Sequence, residues 1–186
     1  MGDAGIGALR PGTRVHVVTV SDGVAAGVRE DRSGAAIAAR LVTLGATVTR
    51  STVADEVAAI RNAIVEAART SPIVLTTGGT GLTPRDVTPQ ATLATLDYEV
   101  PGIAESMRAA GRASTPLADL SRAVAGVAGR SLVVNLPGSP AGAIESLSAI
   151  EPLLGHAVET LAGPHDHDAA RRAPGVAYDR AEEGAR

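Results

Sequence analysis

Apolar and polar positions follow two rhythms along this chain, and their order predicts the fold. Residues 14–20, RVHVVTV, are apolar or β-branched at most positions and read as a buried strand. SDGVAAGVRED follows as a loop, after which Asp31 or Ser33 caps a helix through AAIAARLVTL that Gly45 stops. ATVTRSTV alternates with period two as a second strand. In DEVAAIRNAIVEAART, Val57, Ile60, Ile64 and Ala67/Ala68 make one apolar helical stripe, with Asp55 at the N-cap position. PIVLT, from Pro72, is a third strand, and Thr88 caps a short helix, TPQATLATL, with Pro89 in its first turn. PGIAESMRAAGR reads as helix and SLVVNL as a further buried strand. Ser139–Pro140 then launches AGAIESLSAI, Pro152 interrupts, and LLGHAVETLAG forms the last helix.

Strands alternating with helices at this spacing predict a three-layer α/β fold, a mostly parallel sheet flanked by helices through right-handed crossovers. The expected organisation is a flexible N-terminus over 1–13, one α/β domain over 14–162, and a polar, aperiodic, disordered tail over 163–186. A chain of 186 residues suits one such domain. Hydrophobic residues make up 45% but aromatics only 1%, with no Phe or Trp, so the core is built from Ala, Val, Leu and Ile.

Charge narrows the function. The net charge is −3, there is no lysine, and no basic face or set of stacking aromatics suggests a nucleic-acid partner. The absence of cysteine excludes disulfides, thiolate metal sites and a Cys nucleophile. No apolar run approaches the ~20 residues of a membrane span. MGDAGIGALRPG lacks the basic start and apolar stretch of a secretory signal, so the expected location is the cytoplasm.

Residues 76–89, TTGGTGLTPRDVTP, bring three glycines, an arginine and an aspartate together directly after a strand. The run fits neither GxGxxG, because Pro84 stands at the third glycine, nor a Walker A loop, because no Lys-Ser/Thr follows Gly81. In an open parallel sheet, ligands bind at the carboxyl ends of the strands. Ser21–Asp22–Gly23, Asp55, the glycine loop and Pro137–Gly138–Ser139–Pro140 all belong there. Three of these run into helix N-termini, which favour phosphate, with arginines such as Arg85 completing the neutralisation.

Asp55 is either a helix cap or a ligand, and Asp86 is either a metal ligand or the partner of Arg85 or another arginine. A carboxylate beside a phosphate repels it unless a divalent cation lies between, and two carboxylates with substrate phosphates suit Mg²⁺. His16 reads as a satisfied core histidine, His156 has no partner pattern, and HDHD at 165–168 reads as solvated tail. Ser21 lacks the G-x-S-x-G setting of a nucleophile. From pattern alone, this is an α/β protein that binds a phosphorylated ligand, with Mg²⁺ as one reading of the two aspartates.

TTGGTG…PRDVTP, then PGIAESMR, LSRAVAGV and NLPGSP in that order, resemble the molybdenum cofactor biosynthesis family typified by MogA and MoaB, over about residues 14–162. The resemblance implies a compact α/β domain that assembles as a homotrimer and binds molybdopterin at the loop edge. MogA-like members are molybdopterin adenylyltransferases, which use Mg-ATP to adenylate the terminal phosphate of molybdopterin ahead of a downstream molybdate-insertion enzyme. It further implies that Asp55 and Asp86 are catalytic and hold Mg²⁺. Substrate binding would fall to Ser21, Asp22, Thr76, Gly78, Gly79, Thr80, Gly81, Ser121, Asn135, Gly138 and Ser139.

Two positions depart from the family pattern. Relatives commonly carry SDR in the first loop and a lysine after PGSP, where this chain has Gly23 and Ala141. Either anion binding is weakened, or Arg29, Arg32 and Arg122 supply the charge. A molybdopterin-binding carrier, sensor or scaffold without catalysis is the alternative function. A Rossmann-type oxidoreductase is disfavoured, because the glycine loop follows the third strand rather than the first.

Overall fold

Alternation along the strands sorts their side chains onto two faces, and each face recruits its own helices. The computed structural model describes residues 8–163. In chain order it runs β1 (Arg14–Val20), α1 (Asp22–Ala25), α2 (Arg32–Thr43), β2 (Thr47–Val53), α3 (Val57–Ala68), β3 (Ile73–Thr77) and α4 (Thr88–Leu93). Then follow β4 (Tyr98–Glu99), α5 (Pro101–Gly111), a 3-10 turn (Pro116–Leu120), β5 (Ala125–Ala128), β6 (Ser131–Leu136) and α6 (Pro140–Ala162). Val15, Val17, Leu75 and Val134 pack on one side with Ile37 and Leu41 of α2, Met107 of α5, and Leu147, Ile150 and Leu154 of α6. Val18, Val20, Val74 and Val133 face the other side, against Ile60, Ile64 and Ala67 of α3 and Ala91 of α4. Burying each Leu or Ile side chain of this core contributes about 1.5–3 kcal/mol.

The sheet order is β2-β1-β3-β6-β5-β4. Strands β2, β1, β3 and β6 are parallel, while β5 runs antiparallel to β6 and β4 antiparallel to β5. The expected three-layer, mostly parallel fold is therefore the observed one. From β1 the chain first winds outward to β2 and then returns to β3 on the opposite side. That reversal opens a crevice at the carboxyl ends of β1 and β3, where ligands of such sheets bind.

Several local expectations are corrected. Ser21 caps a short helix, α1, where a plain loop was expected. Asp55 does not cap α3. Glu56 holds the N-cap position without a side-chain bond, and Asp55 is turned toward the first loop. Thr88 is the first residue of α4 rather than its cap. Asp31, not Ser33, caps α2 by accepting from the Gly34 N–H at 2.9 Å. Pro152 does not interrupt: α6 is continuous through it, because fully buried Leu147, Ile150 and Leu154 anchor the helix on both sides of the missing N–H.

Residues 8–13, expected to be flexible, lie on the domain. Leu9 is buried, the Arg10 guanidinium bonds Glu159 at 2.8 Å, and Gly12 N–H donates to the Gly45 carbonyl at 2.8 Å. The tail beyond Gly163, with HDHD at 165–168, lies outside the described residues. His16 is satisfied, its two ring nitrogens each 2.8 Å from a hydroxyl of β2, those of Thr49 and Ser51. Among the described residues, no helix is long and apolar enough to cross a membrane.

Candidate functional site

Three strand ends meet almost backbone to backbone. Gly78 follows β3 with φ 102°, and a Cβ there would press into the Val20 carbonyl at the end of β1. A Cβ at Gly138, just after β6, would lie 3.2 Å from the Gly78 Cα. Hydroxyls then fix the turn. Thr77 Oγ1 donates to the Pro137 carbonyl at 2.7 Å, and Thr88 Oγ1 donates to the Gly78 carbonyl at 2.8 Å. The N–H of Thr88 donates to the Gly79 carbonyl at 3.1 Å. The glycine loop is thus a rigid partition tied to α4 on one side and to the Pro137–Pro140 loop on the other.

A cavity opens on each side of that partition. One, of about 550 Å³, is mostly polar and is lined by Ser21, Arg29, Asp31, Arg32, Asp55, Gly78, Gly79 and Gly138, among others. The second, of about 430 Å³, is mostly apolar, with Leu82, Met107, Leu117 and Leu120 beside Thr80, Gly81, Ser121 and Ser139. Consecutive residues of one loop therefore serve different cavities: Gly78 and Gly79 the polar one, Thr80 and Gly81 the apolar one. The same holds across Pro137–Pro140, where Gly138 and Pro140 face the polar cavity and Pro137 and Ser139 the apolar one.

The acidic residues are organised by these loops. Asp22 N–H donates to Asp55 Oδ2 at 2.8 Å, and Asp55 N–H donates to Asp22 Oδ1 at 3.0 Å. Asp22 Oδ2 also carries the Arg85 guanidinium in an ion pair. The Asp55 N–H and then Arg85 hold the Asp22 carboxyl below the usual carboxylate range. Asp22 thus belongs to the scaffold around Asp55, and it takes the arginine that the sequence offered as a partner for Asp86.

Asp86 Oδ2 accepts from both the N–H and the hydroxyl of Thr83, at 2.8 and 2.7 Å. Burial opposes its ionisation, but the Thr83 bonds, the Gly81 N–H and the Arg122 charge outweigh it and lower its pKa. Arg122 is the clamp of this segment. Its N–H donates to the Thr80 carbonyl, its Nε to that of Gly81 at 2.7 Å, and its Nη2 to that of Asp86.

Both aspartates reach the partition. A Cβ at Gly79 would stand 3.4 Å from Asp55 Oδ1, and one at Gly81 3.0 Å from Asp86 Oδ2. Asp55 lines the polar cavity, whereas Asp86 lines neither and touches the loop at Gly81. Among the described residues, no three His, Cys, Asp or Glu cluster as a metal cage. The two carboxylates approach the loop at Gly79 and Gly81, and a Mg²⁺ held by one or two carboxylates takes its remaining ligands from phosphate and water.

Thr76 and Asn135 occupy a different place from the other sequence candidates. Both are fully buried inside the sheet. Asn135 Nδ2 donates to the hydroxyls of Thr76 at 2.9 Å and Thr92 at 2.8 Å, and its Oδ1 accepts from the Val124 N–H at 3.3 Å. They join β3, β6 and α4 beneath the loop and face neither cavity. The sequence pattern did not single out Thr77 and offered Thr88 only as a helix cap, yet their two hydroxyls fix the loop. It also passed over the apolar wall formed by Met107, Leu117 and Leu120. Leu117 and Leu120 are exposed leucines in a short polar stretch, a signal that was available.

Residues 16–156 match the family described as "Probable molybdopterin binding domain". The chain is 45% identical over 158 residues to the molybdenum cofactor biosynthesis bifunctional protein of Synechococcus elongatus, covering 84% of this chain and 49% of that protein. It thus spans about half the length of that relative. It is 37% identical over 150 residues to the molybdopterin adenylyltransferase of Escherichia coli, with 78% and 77% of the two chains covered. The molybdopterin biosynthesis enzyme MoaB from Thermus thermophilus superposes with a TM-score of 0.74 at 48% identity, covering 80% of this chain and 96% of that one. A match running from β1 into α6 takes in every loop of the site, and the chain therefore belongs to the molybdopterin-binding domain family of molybdenum cofactor biosynthesis, alongside MogA and MoaB.

Proposed function

We propose that this chain is a molybdopterin adenylyltransferase, transferring AMP from Mg-ATP to the terminal phosphate of molybdopterin with release of pyrophosphate. One observation carries this over a simple carrier: two cavities of different polarity share a single rigid wall of glycine backbone. A carrier needs one pocket, whereas a group transfer needs two ligands whose reacting ends meet at one point. The apolar cavity suits the flat pterin against Leu82, Met107, Leu117 and Leu120. The polar cavity suits the nucleotide phosphates.

In the transfer, an oxygen of the molybdopterin phosphate attacks the α-phosphorus of ATP and forms the new P–O bond. The bond from the α-phosphorus to the bridging oxygen breaks, and pyrophosphate leaves with that electron pair. The nucleophile is already anionic at neutral pH, so no general base is required. The chain's task is to hold two anions in line and offset their charge. Gly78–Gly81 let the phosphates approach the backbone, Thr88 and Arg122 keep that backbone in place, and Asp22 orients Asp55. Asp55 and Asp86 would hold Mg²⁺, which when bound screens the charge between the reacting phosphates.

The test is a single-turnover reaction with molybdopterin and Mg-ATP, run beside Asp86→Asn and an EDTA-treated sample. Product that depends on the metal and on Asp86 is the expected result. Tight molybdopterin binding without product would make the chain a carrier, sensor or scaffold. The same proposal includes a homotrimer, checked by light scattering, and delivery of the adenylated product to a molybdate-inserting enzyme.

A further inference from the structure

The chain has no lysine, so its permanent cations are arginines, and most of those described are already committed. Arg10, Arg40, Arg50, Arg69, Arg85 and Arg112 pair with carboxylates. Arg14, Arg108, Arg122 and Arg130 donate to backbone carbonyls. Only Arg29, Arg32 and Arg61 lack a partner among the described residues, and two of these three line the polar cavity.

Their surroundings leave them available. Asp31 lies between them but is taken, accepting from Thr19 at 3.0 Å and from the Gly34 N–H, and carrying Arg50 as its ion-pair partner. Glu30 lines the same cavity and offsets part of the charge. The Arg29 side chain runs over Gly23: a Cβ at position 23 would stand 3.4 Å from Arg29 Cβ and 3.8 Å from its Nε. Both distances are ordinary van der Waals contact, so the Arg29 stem packs beside Gly23 next to the cavity.

Resting on the transferase proposal for the identity of the nucleotide, we propose that Arg29 and Arg32 bind its polyphosphate chain in the polar cavity. Arg85 and Arg122 do not serve this role, since Asp22 and the Gly81 and Asp86 carbonyls already hold their guanidiniums. A run of phosphates, rather than one, matches a cavity of about 550 Å³ lined by two unpaired arginines and by the backbone of Gly78, Gly79 and Gly138.

The experiment is calorimetric titration of the full chain with inorganic tripolyphosphate and, separately, inorganic phosphate, both with Mg²⁺. Arg29→Ala and Arg32→Ala should each weaken tripolyphosphate binding about tenfold, and the double variant more. Arg29→Lys should recover part of the loss, and Arg61→Ala should bind as wild type. Both side chains are exposed and unpaired, so the melting temperature should hold in every variant. Wild-type protein that ignores tripolyphosphate, or a double variant that binds it as well as wild type, overturns the assignment. Arginine dependence seen with phosphate but not tripolyphosphate would assign the cavity to a monoester and overturn it too.

The ATP reaction separates the two proposals. Arginine-dependent tripolyphosphate binding without AMP transfer would keep this site and reject the transferase. Transfer with an unchanged KM for ATP in the double variant would do the reverse.

Discussion

Asp22 and Asp55 hold each other by a reciprocal pair of backbone-to-carboxylate bonds, Asp22 N–H to Asp55 Oδ2 at 2.8 Å and Asp55 N–H to Asp22 Oδ1 at 3.0 Å. The two lie on separate loops, after β1 and after β2, which this exchange clasps together. Because Asp55 Oδ2 is occupied by the clasp, its Oδ1 is the oxygen left facing the glycine loop at Gly79. The carboxylate is aimed by a neighbour whose own second oxygen pairs with Arg85.

In the proposed transfer, Asp22 would act through Asp55. Asp22→Ala removes the acceptor for the Asp55 N–H together with the partner of Arg85. Asp22→Asn keeps an oxygen for the N–H and loses only the charge. The expected order of single-turnover rates at saturating Mg-ATP is wild type, then Asn, then Ala, with molybdopterin affinity unchanged in all three. Equal rates for Asn and Ala would show that the clasp does not position Asp55.

Asp86 ties acid stability to the site. Its carboxyl titrates below the ordinary 3.8 in the folded chain, so the stability it contributes is fully present above that value. That contribution is lost as pH falls through the lower folded pKa. Thermal melts from pH 7 down to 3 should show wild type losing stability below about pH 4. Asp86→Asn should decline less steeply over the same range. Parallel curves would mean that Asp86 is not held ionised by Thr83, Gly81 and Arg122.

Asn135 is a support rather than a ligand contact. Replacing it by alanine strands the hydroxyls of Thr76 and Thr92 and the Val124 N–H in a fully buried setting. The expected loss is roughly 2–4 kcal/mol by urea denaturation, with molybdopterin affinity of the folded variant preserved. Unchanged stability with lost affinity would place Asn135 in contact with the ligand instead.

Gly78 and Gly102 should respond oppositely to alanine. At Gly78, φ is 102° and the new Cβ would meet the Val20 carbonyl, a backbone atom with nowhere to go. Gly78→Ala should cost more than about 2 kcal/mol and abolish transfer. Gly102 stands in the first turn of α5 with nothing within 4 Å of its Cβ position, and Gly102→Ala should be neutral or stabilising by up to about 1 kcal/mol. Chemical denaturation of the two variants side by side decides the point.

Strand periodicity made most of the fold legible. Residues 14–20 and 131–136 alternate or run apolar because their side chains enter the core, and they form β1 and β6 with those limits. β4 and β5, of two and four residues, are too short to carry a pattern and exist through pairing with their neighbours. Pro152 misled because the local cost of proline in a helix is outweighed by the buried leucines and isoleucine around it, which local reading does not weigh.

What the sequence determined by itself was chemistry at short range: strands and helices from periodicity, a glycine loop at Gly78–Gly81, and two aspartates near it. Tertiary structure alone decided how those parts are used. It turned Asp55 from a helix cap to a partner of Asp22, 33 residues away. It sent Arg85 to Asp22 and Arg122 to the loop carbonyls, and left Arg29 and Arg32 unpaired at the polar cavity. It put Asn135 beneath the loop instead of in it. The physical reason is the same in each case. A helix or turn is set by neighbours a few residues apart, whereas the partner of a charged or polar side chain is set by which strand ends the sheet order brings together.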